Sequence, residues 1–116
     1  MLFKKKKTSS ETLLAWLAAI KMHDIEEVEV HTQKTWLSNH FIQSHMRGIL
    51  ALGITQYKIV AIIPISPVMH RFRVSIRHRL GVAKIELIAT RERKAYKPAR
   101  FFGGWGVNPA SWKAIK

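Results

Sequence analysis

Arg71-Phe72-Arg73-Val74-Ser75-Ile76-Arg77-His78-Arg79 is the segment from which the architecture follows. At strand period, Phe72, Val74 and Ile76 point one way, and Arg71, Arg73, Ser75, Arg77 and Arg79 point the other. One face joins a core. The other displays a row of arginines about 7 Å apart, two residues at strand rise. Phosphates along a nucleic-acid strand repeat on a similar scale, and a guanidinium group binds phosphate in a two-pronged way. The competing reading is a solvated strand face with surplus charge.

The charge of the whole chain favours the polyanion. Its 116 residues hold 20 Lys and Arg against 7 Asp and Glu, a formal net charge of +13. Residues 1–58 hold 8 basic and 5 acidic groups, and residues 59–116 hold 12 basic and 2 acidic groups, a net of +10. A pI near 10.7 points to nucleic acid or an acidic membrane surface. With 47% hydrophobic residues, one domain with a packed core is expected.

Cysteine is absent, which excludes disulfides, thiolate zinc sites and cysteine nucleophiles. No apolar run approaches the ~18–20 residues that span a bilayer, so no membrane partner is expected. Met1-Leu2-Phe3 followed by Lys4 to Lys7 lacks the apolar core of a signal peptide. Residues 1–8 are expected to form a basic tail.

Thr8-Ser9-Ser10-Glu11 fits a capping box, and Leu13, Leu14, Leu17 and Ile20 follow at helical spacing. A helix is expected from Ser9 to His23. Val28-Glu29-Val30-His31 alternates like a short strand. A second helix is expected from Gln33 to Gly53, with Leu37, Phe41, Met46, Ile49 and Leu50 as its apolar stripe. Tyr57 to Ile63 reads as a buried strand ended by Pro64 and Pro67. The arginine strand and Val82 to Ala89 then form a hairpin. Beyond Thr90 the pattern gives way to Arg, Lys, aromatics and glycine, with one helical turn expected near Asn108 to Trp112. The expected fold is α+β: two amphipathic helices on a small, mostly antiparallel sheet over residues 9–89, and a basic, aromatic, Gly-rich extension over residues 90–116.

Chemistry finds little footing. Asp24, Glu26, Glu27 and Glu29 cluster in a polar stretch, which reads as a solvated edge rather than an acid–base pair across a cleft. The six histidines show no i, i+4 pair of the metal-binding helical type. Gly103-Gly104-Trp105-Gly106 follows no strand and precedes no Lys-Ser/Thr pair, so it is no phosphate loop. Neither a metal, a cofactor nor a small-molecule substrate is expected. His70 and His78 flank the arginine strand and could extend it. Arg91, Arg93, Lys94, Lys97 and Arg100 adjoin Phe101, Phe102, Trp105 and Trp112. Aromatics among cations suit base stacking and backbone tracking, and they suit packing against protein equally well. Trp16 and Trp36 fall at comparable points of the two helices, where core packing is the ordinary role.

Several residues carry a resemblance. Glu26-Glu27-Val28-Glu29-Val30 has the acidic pair and Val-Glu-Val of a first strand, Lys34 follows, and Gly53, Ile54 and Tyr57 have the order that closes a second helix and opens a strand. In this the chain resembles the universal small-subunit ribosomal protein eight family, over residues 10–90. Leu17-Ala18-Ala19-Ile20 stands where that family often has Ile-Arg-Asn-Ala, and Ala110-Ser111-Trp112 replaces its Ser/Thr-rich loop. The resemblance implies a diverged, carboxy-terminally shortened member in a mitochondrial rather than a cytosolic ribosome. It implies a non-catalytic structural role, with small-subunit rRNA of the central domain and neighbouring ribosomal proteins as partners. The expected RNA-binding residues are Lys34, Arg71, Arg73, Arg77, Arg79, Arg91, Arg93, Lys94, Lys97 and Arg100. The alternative is a basic assembly factor that docks on protein in another ribonucleoprotein complex.

Overall fold

The computed structural model describes residues 8–33, 40–91 and 104–115. Three helices, α1 (Ser9–Lys21), α2 (Ile25–Val30) and α3 (His40–Ala51), precede four strands, β1 (Gln56–Ser66), β2 (Met69–His78), β3 (Gly81–Arg91) and β4 (Trp105–Ala114). The strands form one antiparallel meander in the order β1-β2-β3-β4. This is the expected α+β class, with one more helix; four strands are present as expected, but the short strand expected at Val28 to His31 is absent and β4 takes its place in the count.

The start of α1 is as the sequence foretells. Thr8 accepts from the Glu11 amide at 3.2 Å, and the Glu11 carboxylate accepts from the Thr8 amide at 3.0 Å. The box satisfies two amides that the first turn leaves without helical partners. From there Leu13, Trp16, Leu17 and Ile20 face the sheet and are buried. They meet Phe72, Val74 and Ile76 of β2, Ile85, Leu87 and Ala89 of β3, and Val107 of β4 in one core cluster. β2 and β3 pair without a break, so Phe72 lies opposite Leu87 and Val74 opposite Ile85.

One expectation fails locally. Val28-Glu29-Val30 is helical, in α2. The Asp24 carboxylate accepts from the Glu27 amide at 3.3 Å and caps this helix, and Glu26 and Glu27 sit favourably at its positive end. A three-residue alternation is too short to fix a period, and Ile25, Val28 and Thr32 fit a helix as well. The chain leaving α2 turns strand-like only at Thr32, which bridges Val107 in parallel. There the Gln33 amide donates to Val107 O and the Val107 amide to His31 O, both at 2.8 Å. Trp16 locks the junction: its Nε1 donates to Thr32 Oγ1 at 3.0 Å, and that hydroxyl donates to Val28 O at 2.6 Å. The helix expected over residues 33–53 is described from His40, and Trp36 lies outside the described residues.

The strands run longer than expected. β1 continues through Pro64 to Ser66. It is an edge strand with register shifts at Ile59/Ala61 and Pro64/Ser66, and an irregular edge tolerates proline. Residues 105–114, assigned to an extension with a helical turn, form β4 instead, so the packed unit reaches Ala114. Burying Val107 and Pro109 favours the strand. Where its ladder slips between Glu86 and Ile88, the Ile88 amide donates to Ser111 Oγ at 2.7 Å. The side chain thus takes over a bond the backbone register drops.

Truncating the central aromatic tests this core. Phe72→Ala is expected to cost roughly 3–5 kcal/mol, the usual range for a buried Phe, measured by urea unfolding. A loss below about 1 kcal/mol would mean that the strand is not packed as described.

Candidate nucleic-acid interface

The helices pack on one side of the sheet, α1 against β3 and β4 and α3 against β4. The pleat decides what the other side carries. Partners in register share a face, so the open face can be mapped row by row. Gln56, Arg77 and Val82 form one row, and Lys58, Ser75 and Lys84 the next. Ala61, Arg73, Glu86 and Lys113 follow, then Ile63, Arg71, Ile88 and Asn108. Among the described residues six cations, Lys58, Arg71, Arg73, Arg77, Lys84 and Lys113, therefore share this face with the single carboxylate of Glu86. Gln56, Tyr57, Lys58, Ser75, Arg77 and Val82 line a shallow hollow of ≈ 240 Å³ at one end.

The other described acids lie elsewhere. Glu11, Asp24, Glu26, Glu27 and Glu29 are all on the helical layer. Among the described residues the open face therefore holds six cations to one acid, whereas the helical layer, which also carries Lys21 and Arg47, holds five acids, an imbalance that the +13 total does not disclose. A one-sided field of this kind orients a polyanion as well as attracting it.

Arg73 and Glu86 form the one ion pair of this face among the described residues, Nε to Oε1 at 3.5 Å. The Arg73 side chain is still 53% exposed. Exposed pairs of this sort contribute about 0–1 kcal/mol, so a phosphate can compete for the guanidinium.

Other expected contacts separate from the row. Arg79 lies beyond the end of β2 and turns to α3. Its Nη2 donates to Ala51 O at 2.9 Å, and its amide donates to Leu52 O at 3.3 Å. It therefore satisfies carbonyls at the end of the helix, a task suited to a cation there. Gly53 makes room for it. A Cβ at Gly53 would stand 2.8 Å from Arg79 Cγ, and its φ of +69° also favours glycine. Arg91, exposed at the end of β3, lies opposite Trp105 and in phase with the buried Ala89, away from the arginine row. Lys34, Arg93, Lys94, Lys97 and Arg100 lie outside the described residues, as do Phe101 and Phe102.

His70 is also turned inward. Its Nδ1 and the buried Ser9 Oγ share a hydrogen bond of 2.6 Å, and its ring lies 4.4 Å from that of Trp105. His78 Nδ1 accepts from the Leu80 amide at 3.2 Å. Trp112 lies 6.3 Å from Trp16. For Trp105 and Trp112 the choice between stacking on bases and packing on protein falls to packing. The sequence reading missed Lys58, Lys84 and Lys113. Lys58 and Lys84 were legible, each flanked by inward apolar residues at strand period, whereas Lys113 needs the β3–β4 register.

Among the described residues no group of three or more His, Cys, Asp or Glu side chains could hold a metal. No described helix is long and apolar enough to cross a membrane. The chain matches no protein-family model, no curated protein and no solved structure.

Two variants separate these roles. Glu86→Gln removes the only acid of the open face among the described residues and is expected to shift elution from immobilised heparin to higher salt. Gly53→Ala is expected to leave elution unchanged and to cost roughly 1–2 kcal/mol of stability, the cost of a side chain at positive φ. An unmoved heparin profile for Glu86→Gln would show that polyanions do not use this face.

Proposed function

We propose that this chain is a non-catalytic RNA-binding protein that grips RNA through the open face of its sheet. One observation carries the proposal: the pleat gathers Lys58, Arg71, Arg73, Arg77, Lys84 and Lys113 on the side the helices leave uncovered. Cations so placed neutralise phosphates and release the counterions condensed on them. Such contacts fix position, and selectivity then rests on the shape of the RNA. No step of bond making is assigned to the site.

The ribosomal resemblance supplies the proposed partner. It names central-domain rRNA of a small ribosomal subunit, with neighbouring ribosomal proteins and a mitochondrial setting. The Val-Glu-Val segment supports this less than its sequence does, because it is helical in α2 where a strand was implied. Gly53, Ile54 and Tyr57 keep the implied order, with Gly53 after α3 and Tyr57 at the start of β1.

Docking on protein is the second reading. It draws on the exposed Val60, Ile62 and Ile65 along β1, whose outer edge pairs with no strand among the described residues. Crosslinks that fall on protein alone would favour it.

Binding of purified protein to a central-domain rRNA fragment across salt provides the test. Arg71→Ala, Arg73→Ala and Arg77→Ala together are expected to flatten the log–log slope by roughly 2–3, at ~0.7–0.9 for each phosphate left without its arginine. An unchanged slope would remove these arginines from the interface. The ribosomal assignment further requires co-sedimentation with the small subunit after a high-salt wash, and release into the soluble fraction would refute it.

A further inference from the structure

We infer that the RNA element recognised by the open face is double-helical, held by both of its backbones at once. The inference rests on the RNA-binding reading and concerns the form of the RNA. The cations of this face are spread in two dimensions. Arg71, Arg73 and Arg77 run along β2, over about 20 Å at strand rise. Lys58 stands on β1, Lys84 on β3 and Lys113 on β4, so the array also crosses all four strands, about 14 Å at the usual spacing. One phosphate chain follows a line and leaves part of such an array unused. Two chains flanking a groove can occupy it from side to side.

Glu86 supports the same arrangement. It lies between Arg73 and Lys113 in one row, where it would repel a phosphate passing over the middle of the face. Phosphates on either side, with groove between them, avoid that repulsion.

The surface between the cations is also unsuited to unpaired bases. Ala61, Ile63, Ser75, Val82 and Ile88 fill it. Tyr57 borders the hollow at one end but is in register with the inward Ile76 and packs against the core, Phe72 is buried there, Trp16 lies against Trp112 and His70 against Trp105. Sequence-tolerant binding of single strands relies on aromatic platforms for successive bases. A broad, shallow A-form minor groove is open to a flat sheet. The narrow minor groove of B-DNA is not, and its deep major groove admits a helix or a two-stranded ribbon.

The experiment compares an 18-base-pair RNA duplex, an 18-mer of uridine and the DNA duplex of the same sequence, at one salt concentration, by fluorescence anisotropy. The RNA duplex is expected to bind at least tenfold tighter than the uridine strand, with DNA in between. Lys84→Ala with Lys113→Ala is expected to weaken duplex binding about tenfold and to change uridine binding less than twofold. Both side chains are exposed, and circular dichroism checks that the variant folds. Equal or tighter binding of the uridine strand would overturn the double-helical inference and leave the RNA-binding reading intact. Equal binding of the DNA duplex would overturn the choice of A-form RNA. Failure of all three to bind would defeat the RNA-binding reading itself.

Discussion

The structure depends on the two-sidedness of β2. Phe72, Val74 and Ile76 are each at most 1% exposed, while Arg71, Arg73 and Arg77 alternate with them on the opposite side. Side chains in a strand have period two, so the first set cannot be buried without turning the second set out. A slip of one residue against β3 would drive guanidinium groups into the core, where an unpaired charge costs several kcal/mol or more. The apolar residues thereby fix the register, and the register fixes the face on which the charge appears.

Burial on the helical side is stitched by polar groups as well as by apolar contact. Trp16, Thr32 and Val28 form a short chain of hydrogen bonds joining α1, the exit of α2 and, through the Thr32–Val107 bridge, β4. Ser9 and His70 join the first turn of α1 to β2. These links hold the helical layer, and with it five of the described carboxylates, on the far side of the sheet from the arginines. Charge separation is therefore a product of packing, and the one-sided field would vanish with the core that creates it.

Arg79 shows how position overrides residue type. It continues the sequence pattern of the arginine strand, yet β2 ends at His78 and the chain turns. Helix carbonyls left without partners at Ala51 and Leu52 lie within reach, and the side chain and amide serve them. The same cation on a strand one residue longer would belong to the open face. Gly53 is part of this arrangement, since its missing side chain leaves the space through which Arg79 passes.

The sequence alone determined the capping box at Thr8, the inward set of β2 and β3, and the surplus of cations, because each is written in neighbouring residues at a period the backbone imposes. It left α2 ambiguous, since three alternating residues satisfy both periods until Asp24 caps them. It concealed β4, whose Gly106 and Pro109 are poor strand formers and whose place comes from pairing with β3. Only the tertiary structure brought Lys113 beside Glu86, withdrew Arg79 and His70 from the row, and set the five acids of α1 and α2 on the far side. Those outcomes depend on contacts between residues distant in the chain, which local propensity does not encode.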